Sequence, residues 1–534
     1  MPPGRSSTVC SASGGPASRS SQSISIPHLP DHPGAAITGF IMTDGAGIRL
    51  LARRWAPRRP HDKGRPLEGL CAYTLESAEM SPAPTATAEL RPAAARDPLP
   101  RPASEVPGPR LPRPLQSWLG FVHPVQSRMA ARRRYGAVFR SNDLIAGEVF
   151  HIADRASIEQ MFKWKPTDYN VGEPRQPMEP VTGPSSILLL DAERHLRMRK
   201  LMLPAFHGDA IADYAELIEQ ITQREIDGWR PGERIRTRTA AQAITMEVII
   251  RAVFGITDSE RVAELKGVLP RLSSINPLLA FEAMRRDLGP RSPWGRFVRD
   301  RDRVDEMLYE EIQRRRNEPD LDRHKDILTL LLSARDEDGR PLTDRELRDE
   351  LITLLLAGHE TTATSIGWAF ERLLRTPRAL EPLTAEVKKG HNGDYIDAVI
   401  KETLRVRPVV SEVFRAPTQP TELGGFLFAP RTQLAASILL VQYDPELYPP
   451  DPLAFRPERF LEDAPEPYTW IPFGGGVRRC LGAAFAQLEM KVVISAILAR
   501  TRLRASRATS EKARFRGVTL LPSRGGEAIV ESVD

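Results

Sequence analysis

From Thr343 to Pro377 the sequence carries one unbroken helical pattern, and few folds have room for such an element. Thr343, with Glu346 three residues on, makes a capping box that starts it. Pro377 stops it, because proline brings no N–H to the helical ladder and its ring collides with the preceding turn. At about 1.5 Å per residue the helix extends roughly 50 Å, enough to cross a whole domain. Its middle, LLLAGHETTATS over 354–365, is locally unfavourable. Gly358 inside a helix costs up to ~1 kcal/mol against alanine. Glu360, Thr361 and Thr362 put a carboxylate and hydroxyls where the flanking apolar residues predict a core. Several poor local choices at one place mark a functional site. The pair His359-Glu360 is not the start of a zinc-protease motif, since Ala363 stands where the second histidine is needed. A polar face turned to solvent is the plain alternative.

A second constraint lies at 471–490, IPFGGGVRRCLGAAFAQLEM. Cys480 sits where a glycine-rich loop hands over to the N-terminus of a predicted helix. Free backbone N–H groups and the helix dipole at such a place favour a thiolate, so a lowered thiol pKa is expected. The residue types leave a nucleophile, a redox sensor, a metal ligand and a buried free cysteine all open. Further upstream, 395–408 reads as an amphipathic helix stopped by Pro408, and it sets Glu402 and Arg405 three apart on one face, where they can pair. Arg459, in AFRPERF (454–460), can join them. On the surface such a pair is worth only tenths of a kcal/mol.

The rest of the chain is mostly helical. Predicted helices cover 115–134, 192–202, 209–229, 238–254, 258–273, 293–316, 325–335, 379–389 and 395–407. Strand-like pieces fall at Ala137–Arg140, Glu148–Ile152, within Phe414–Val441 and after Leu503. Residues 1–79 differ: rich in Ser, Pro, Gly and Arg, with no sustained period, they are expected to be a disordered extension. Met80 is an alternative start. Residues 80–114 form a proline-rich lead-in, and 115–534 a single domain, mainly α with a minor β region. Of the net charge of +6, residues 1–79 carry nine Lys/Arg against six Asp/Glu, which is +3. The remaining +3 is spread over 455 residues, so nucleic acid is not an expected partner. Three cysteines make no disulfide framework. No apolar run is long enough to span a bilayer, and the first residues show no continuous apolar segment of secretory type. A soluble cytoplasmic protein is expected.

Taken together the motifs resemble those of the cytochrome P450 family. Phe473, Gly476, Arg478, Cys480 and Gly482 stand as F-x-x-G-x-R-x-C-x-G. Glu402 and Arg405 match the family's E-x-x-R, with Arg459 as third partner. Ala357 to Thr362 matches the oxygen-activation segment of the long helix. DAERHLRMRKLMLPAFHG (191–208) is similar to the helix that carries propionate ligands. One departure is Gln442-Tyr443, where relatives often carry a histidine and a basic residue. The resemblance covers roughly 107–534 and implies the P450 fold, with haem b between the long helix and the cysteine loop. It implies Cys480 as thiolate ligand of the iron, a donor that favours O–O cleavage. His195, Arg199, Arg415 and Arg478 are then the propionate partners. Phe473 shields the sulfur, and the glycines at 474–476 admit the porphyrin and aim N–H groups at the thiolate. Gly476 and Gly482 belong to the same cofactor loop.

The implied activity is a monooxygenase that inserts one oxygen atom of O2 into a lipophilic substrate. Thr361 stands beside dioxygen and Glu360 in the proton path. Substrate contacts are expected from 166–187, 268–295, Leu354–Thr361, Val409–Glu412 and Val518–Leu521. With no nucleotide-binding fingerprint or ferredoxin cysteine set, electrons are expected from a separate donor such as a ferredoxin with its reductase. Arg194, Arg197, Lys200 and Arg479 form the expected docking face for it. The alternatives are a peroxide-driven peroxygenase or rearrangement enzyme on the same fold, and a haem-binding sensor without turnover.

Overall fold

The computed structural model describes residues 37–44, 47–54 and 99–534, except 145, 176–177, 207–213, 274–284, 287, 290 and 391–392. The chain divides into two units, Met1–Asp97 and Pro98–Asp534. In the first, Ile37–Asp44 pairs antiparallel with Gly47–Arg54, from Ile37 opposite Arg54 to Asp44 opposite Gly47. The sequence showed no sustained strand period here. The rest of 1–79 lies outside the described residues.

The second unit is built around the helix Asp344–Leu373. Its start is the capping box read from sequence: Glu346 N–H donates to Thr343 Oγ1 at 3.2 Å, and Thr343 N–H to Glu346 Oε2 at 2.9 Å. Along it Leu347, Leu351, Leu355, Ile366, Trp368 and Phe370 are fully buried. The helix Thr237–Val248 packs most extensively along its side. That packing explains two glycines, because a Cβ on Gly367 would meet Arg238 Cβ at 2.8 Å and one on Gly358 would meet Ile249 Cδ1 at 3.1 Å. Asp394–Val406 and Ala483–Arg500 pack on the same long helix.

The β region is minor, as expected. Its largest sheet runs in the order Val138–Asp143, Gly147–Ile152, Leu434–Ser437, Glu412–Pro417 and Tyr169–Asn170. Only Gly147–Ile152 with Leu434–Ser437 is parallel in it. The hairpin Ala513–Arg516/Thr519–Pro522 is tied to the core by Leu520, whose N–H donates to Val409 O at 2.7 Å and whose carbonyl accepts Trp368 Nε1–H at 2.9 Å.

Most helix limits differ from the sequence reading only at ends, but the one helix expected at 115–134 is two, Arg113–Val122 and Pro124–Tyr135, divided at His123. The helix expected at 209–229 is described as Tyr214–Asp227, and 238–254 divides into an α-helix to Val248 and a π turn over Ile249–Val253.

Candidate active site

The long helix is buried at both ends of its middle, yet Ala357 is exposed and Leu354, Gly358 and Thr361 are partly so. These four share one face, since they recur at three- and four-residue steps. Thr361 Oγ1–H donates to Ala357 O at 2.5 Å, so its own hydroxyl is held along the helix while its oxygen keeps acceptor capacity. His359 points elsewhere: it is buried, and Nδ1 meets Leu355 O at 2.8 Å. Burial lowers its pKa, so the ring is neutral and donates to that carbonyl.

Cys480 has accessible surface and no disulfide partner. Its N–H donates to Phe473 O at 2.9 Å, which closes the loop, and the helix Ala483–Arg500 begins three residues later. The expected lowering of the thiol pKa is not found. Burial pushes it up, because protein walls the sulfur on most sides, and Gly482 N–H, Arg479 and Arg199 only partly offset this. The loop glycines also have a packing purpose within the chain. A Cβ on Gly475 would lie 2.1 Å from Phe162 Cδ2, and one on Gly476 would lie 2.2 Å from Phe162 O. Gly474 and Gly476 both have φ of +67°. The glycines therefore let the loop turn tightly against the end of the helix Arg155–Phe162. Phe473 stands edge-on to Trp470, centroids 5.9 Å apart. A Cβ on Gly482 would meet nothing within 4 Å.

Beside this loop the fold gathers an excess of positive charge. Arg175, His195, Arg199, Arg415 and Arg478 perturb one another. Burial, then Arg478, Arg199, Arg415 and Arg175, lower His195 to about 3, so its imidazole is neutral. Burial and neighbouring guanidiniums bring Arg175 and Arg415 down to about 10. Against them stands Asp191, which accepts from Arg478 Nη2 at 2.6 Å and from Val171 N–H at 2.8 Å. Tyr169 lies under Arg415, 4.7 Å from ring centroid to guanidinium carbon. Two buried nitrogens here have no protein partner, His195 Nδ1 and Arg415 Nε. Buried polar atoms are nearly always paired, so this set is shaped for an anion that the chain does not itself provide.

The described residues match known proteins closely. The cytochrome P450 family model matches residues 107–529. The chain belongs to the cytochrome P450 family. It is 40% identical over 431 residues to cytochrome P450 135B1 of Mycobacterium tuberculosis, covering 80% of this chain and 91% of that one. Cytochrome P450 135A1 of the same organism is 38% identical over 421 residues, 78% of this chain and 93% of the relative. Among solved structures, a retinoic acid-bound cyanobacterial CYP120A1 covers 82% of this chain and all of its own at TM-score 0.69 and 24% identity. The haem domain of cytochrome P450DA covers 82% of this chain and 99% of its own at TM-score 0.70 and 21% identity. P450s are monooxygenases that use haem b with an axial cysteine thiolate. The residues described above suit that group: a thiol open to one side, cations in excess of carboxylates, and two orphaned nitrogens for propionate oxygens.

Glu402 and Arg405 form a buried, fully bonded pair, both 0% exposed. Arg405 Nε and Nη2 donate to the carboxylate at 2.7 and 2.9 Å, and Nη1 to Gln442 O and Pro452 O at 2.8 and 2.7 Å. Arg459 Nε reaches Glu402 Oε1 at 3.2 Å, and Arg456 N–H reaches it at 2.8 Å. Gln442, the departure from the family pattern, bonds Leu404 O, Arg405 O and Ile471 N–H. It joins this cluster to the cysteine loop.

Glu360 is drawn to the neighbouring helix, where Arg238 pairs with its carboxylate and Gln242 Nε2 donates to it at 2.8 Å. Neither partner was identified from sequence, nor were Arg175 at the end of the short helix Gly172–Arg175, Tyr169 in a two-residue strand and Asp191 at a helix N-cap, elements too short to give a periodic signal. Glu489 was also missed. It is buried, burial raises its pKa to about 8, it bonds Thr362, and its Oε1 has no partner. A lone acid in the apolar helix after Cys480 was a visible signal. Of the four cations expected to face a redox partner, Arg197 is half-buried against Asp336 and Glu346, both at 2.7 Å, while Lys200 stays exposed in a surface pair with Glu337 at 2.6 Å. Arg194 and Arg479 are exposed.

Proposed function

We propose that this P450 inserts one oxygen atom of O2 into a lipophilic organic substrate, with electrons from a separate donor such as a ferredoxin with its reductase. The observation that carries the reading is the unbalanced cluster of Arg175, His195, Arg199, Arg415 and Arg478 beside an accessible Cys480. In this reading Cys480 is the iron ligand. Arg199, Arg415, Arg478 and neutral His195, donating from Nδ1, bind the propionates. Bound haem supplies the redox chemistry and O–O cleavage. The chain supplies the rest. Leu354, Ala357 and Gly358 form an apolar wall that excludes water and orients a C–H bond. Thr361 Oγ1, its own proton held by Ala357 O, accepts from and so positions a proton donor on that wall, and Glu360, fixed by Arg238 and Gln242, acts as a proton station behind it. Phe473 and the Gly482 N–H border the sulfur.

Three measurements test this. Cys480→Ser should lose the red-shifted Soret band of the reduced CO complex, and survival of that band would remove Cys480 from the iron. Thr361→Ala should release more peroxide per electron consumed. Unchanged coupling rejects its role, and turnover with peroxide but none with any electron donor points to the peroxygenase instead.

A further inference from the structure

With both haem propionates in place, the cluster beside Cys480 still has one cation to spare. Asp191 accepts from Arg478 Nη2 at 2.6 Å, from Val171 N–H at 2.8 Å and from Gly172 N–H at 3.0 Å, so its carboxylate is fully engaged. Two propionates add two negative charges to that one. Arg199, Arg415 and Arg478 match these in number, and His195 is neutral. Arg175 is left over. It ends the short helix Gly172–Arg175, inside the segment 166–187 that was expected to meet substrate.

No carboxylate among the described residues bonds Arg175. Its guanidinium donates from Nη1 to Leu188 O at 3.5 Å, beyond the usual length of such a bond. Asp191 raises its pKa, but burial, Arg478 and Arg415 outweigh that and bring it down to about 10. Protein surrounds Arg175 on all sides, yet the residue keeps accessible surface. The two facts agree if that surface faces an internal space and not bulk solvent. Cys480 shows the same combination. The two are near neighbours through others: Arg199 feels Cys480 and Arg478, and Arg175 feels Arg478. A buried guanidinium without a counter-charge is costly, because nothing replaces its lost hydration. A ligand that enters the space with an anionic end removes that cost, and the planar fork of N–H donors suits a carboxylate. Beside Arg175, Leu188 and Leu189 are half-buried and Val171 and Leu190 are buried, which suits a hydrocarbon body for the same ligand.

We propose, on the haem-thiolate reading of this site, that Arg175 binds the carboxylate of a lipophilic acid substrate and so sets which end of it lies away from the wall of Leu354, Ala357 and Gly358. The test uses full-length, haem-loaded protein and two matched pairs, dodecanoic acid with its methyl ester and cinnamic acid with its methyl ester. Binding is read by the low-to-high spin shift of the haem spectrum and by calorimetry. At least one acid should bind about tenfold or more tighter than its ester. Arg175→Gln should abolish that preference, leave the affinity for the ester as it was, and retain haem as firmly as wild type. Arg175→Lys should keep part of the preference. The proposal is overturned if neither acid is preferred, or if Arg175→Gln weakens acid and ester alike. It is overturned equally if that variant sheds haem as Arg415→Gln is expected to do, which would make Arg175 a propionate partner. Displacement of the acid by equimolar inorganic phosphate would also overturn it, by making this a site for free anions. The reduced CO complex of wild type tests the underlying reading separately. A missing thiolate-type band beside an intact acid preference would reject the iron ligand and not Arg175.

Discussion

Two clusters of buried charge lie close to the ends of the cysteine loop, and they solve the same problem in opposite ways. Around Glu402, Arg405 and Arg459 every donor direction found by the guanidinium meets a carboxylate or a backbone carbonyl, and Arg456 N–H completes the set. Around Arg415 and Arg478 positive charge exceeds negative, two nitrogens are orphaned, and the groups depress one another's pKa. A closed cluster is complete without help. An open one is stable only if something else brings the missing charge, because taking unpaired cations out of water is costly. The contrast separates a structural site from a cofactor site although both are made of the same residue types.

The comparison breaks most readily at the closed cluster. Glu402→Gln leaves Arg405 buried without its counter-charge, so a loss of ~3–5 kcal/mol is expected, seen as failure to fold or to retain haem. A variant with wild-type unfolding midpoint and full haem content would show that the pair is dispensable.

Glu489 is a third solution: a lone buried acid that avoids charge by keeping its proton. Its folded pKa, raised to about 8, lies above the unfolded carboxylate value. The stability it contributes is therefore complete below the unfolded value and is lost as pH rises through about 8. Glu489→Gln should remove that loss, so the variant gains a few kcal/mol on wild type between acidic and mildly alkaline pH. Thermal melts across that range decide it, and parallel curves would show that Glu489 ionises normally.

At the open cluster the expected effect is smaller and changes sign with the cofactor. Arg415→Gln should weaken haem retention by ~1.5–3 kcal/mol, the value of one charge-assisted bond. The haem-free protein should be unharmed or slightly stabilised, because a like charge is gone from a cluster that held too many. Haem transfer to an acceptor protein measures the first, and denaturation of the apoprotein the second. A variant destabilised equally in both states would make this cluster structural too.

The smallest expected change is in Arg238→Gln, which frees Glu360 from its ion pair at a partly exposed position. It should cost ~0.5–1.5 kcal/mol of stability while raising peroxide release less than Thr361→Ala does. Equal uncoupling by the two would place Glu360 and Thr361 on one proton route.

The parts legible in the sequence share a physical trait: they are local. The capping box, the stop at Pro377, the three-residue spacing of Glu402 and Arg405 and the turn before Cys480 depend on neighbours within a few residues. The family motifs are local as well, and they led to the fold class and to the cysteine loop. What the sequence could not yield depends on groups brought together from far apart. The loop glycines make room for Phe162, and that close approach exists only once two distant segments pack. The thiol pKa follows from the walls around Cys480 rather than from the helix behind it. Arg197 pairs with Asp336 and Glu346 because the loop before the long helix folds back onto it. Local rules determined which elements form and where the chemistry-bearing residues stand in them. Tertiary packing decided which charges are cancelled and which are left for a ligand, because desolvation and ion pairing depend on every segment that closes around a group.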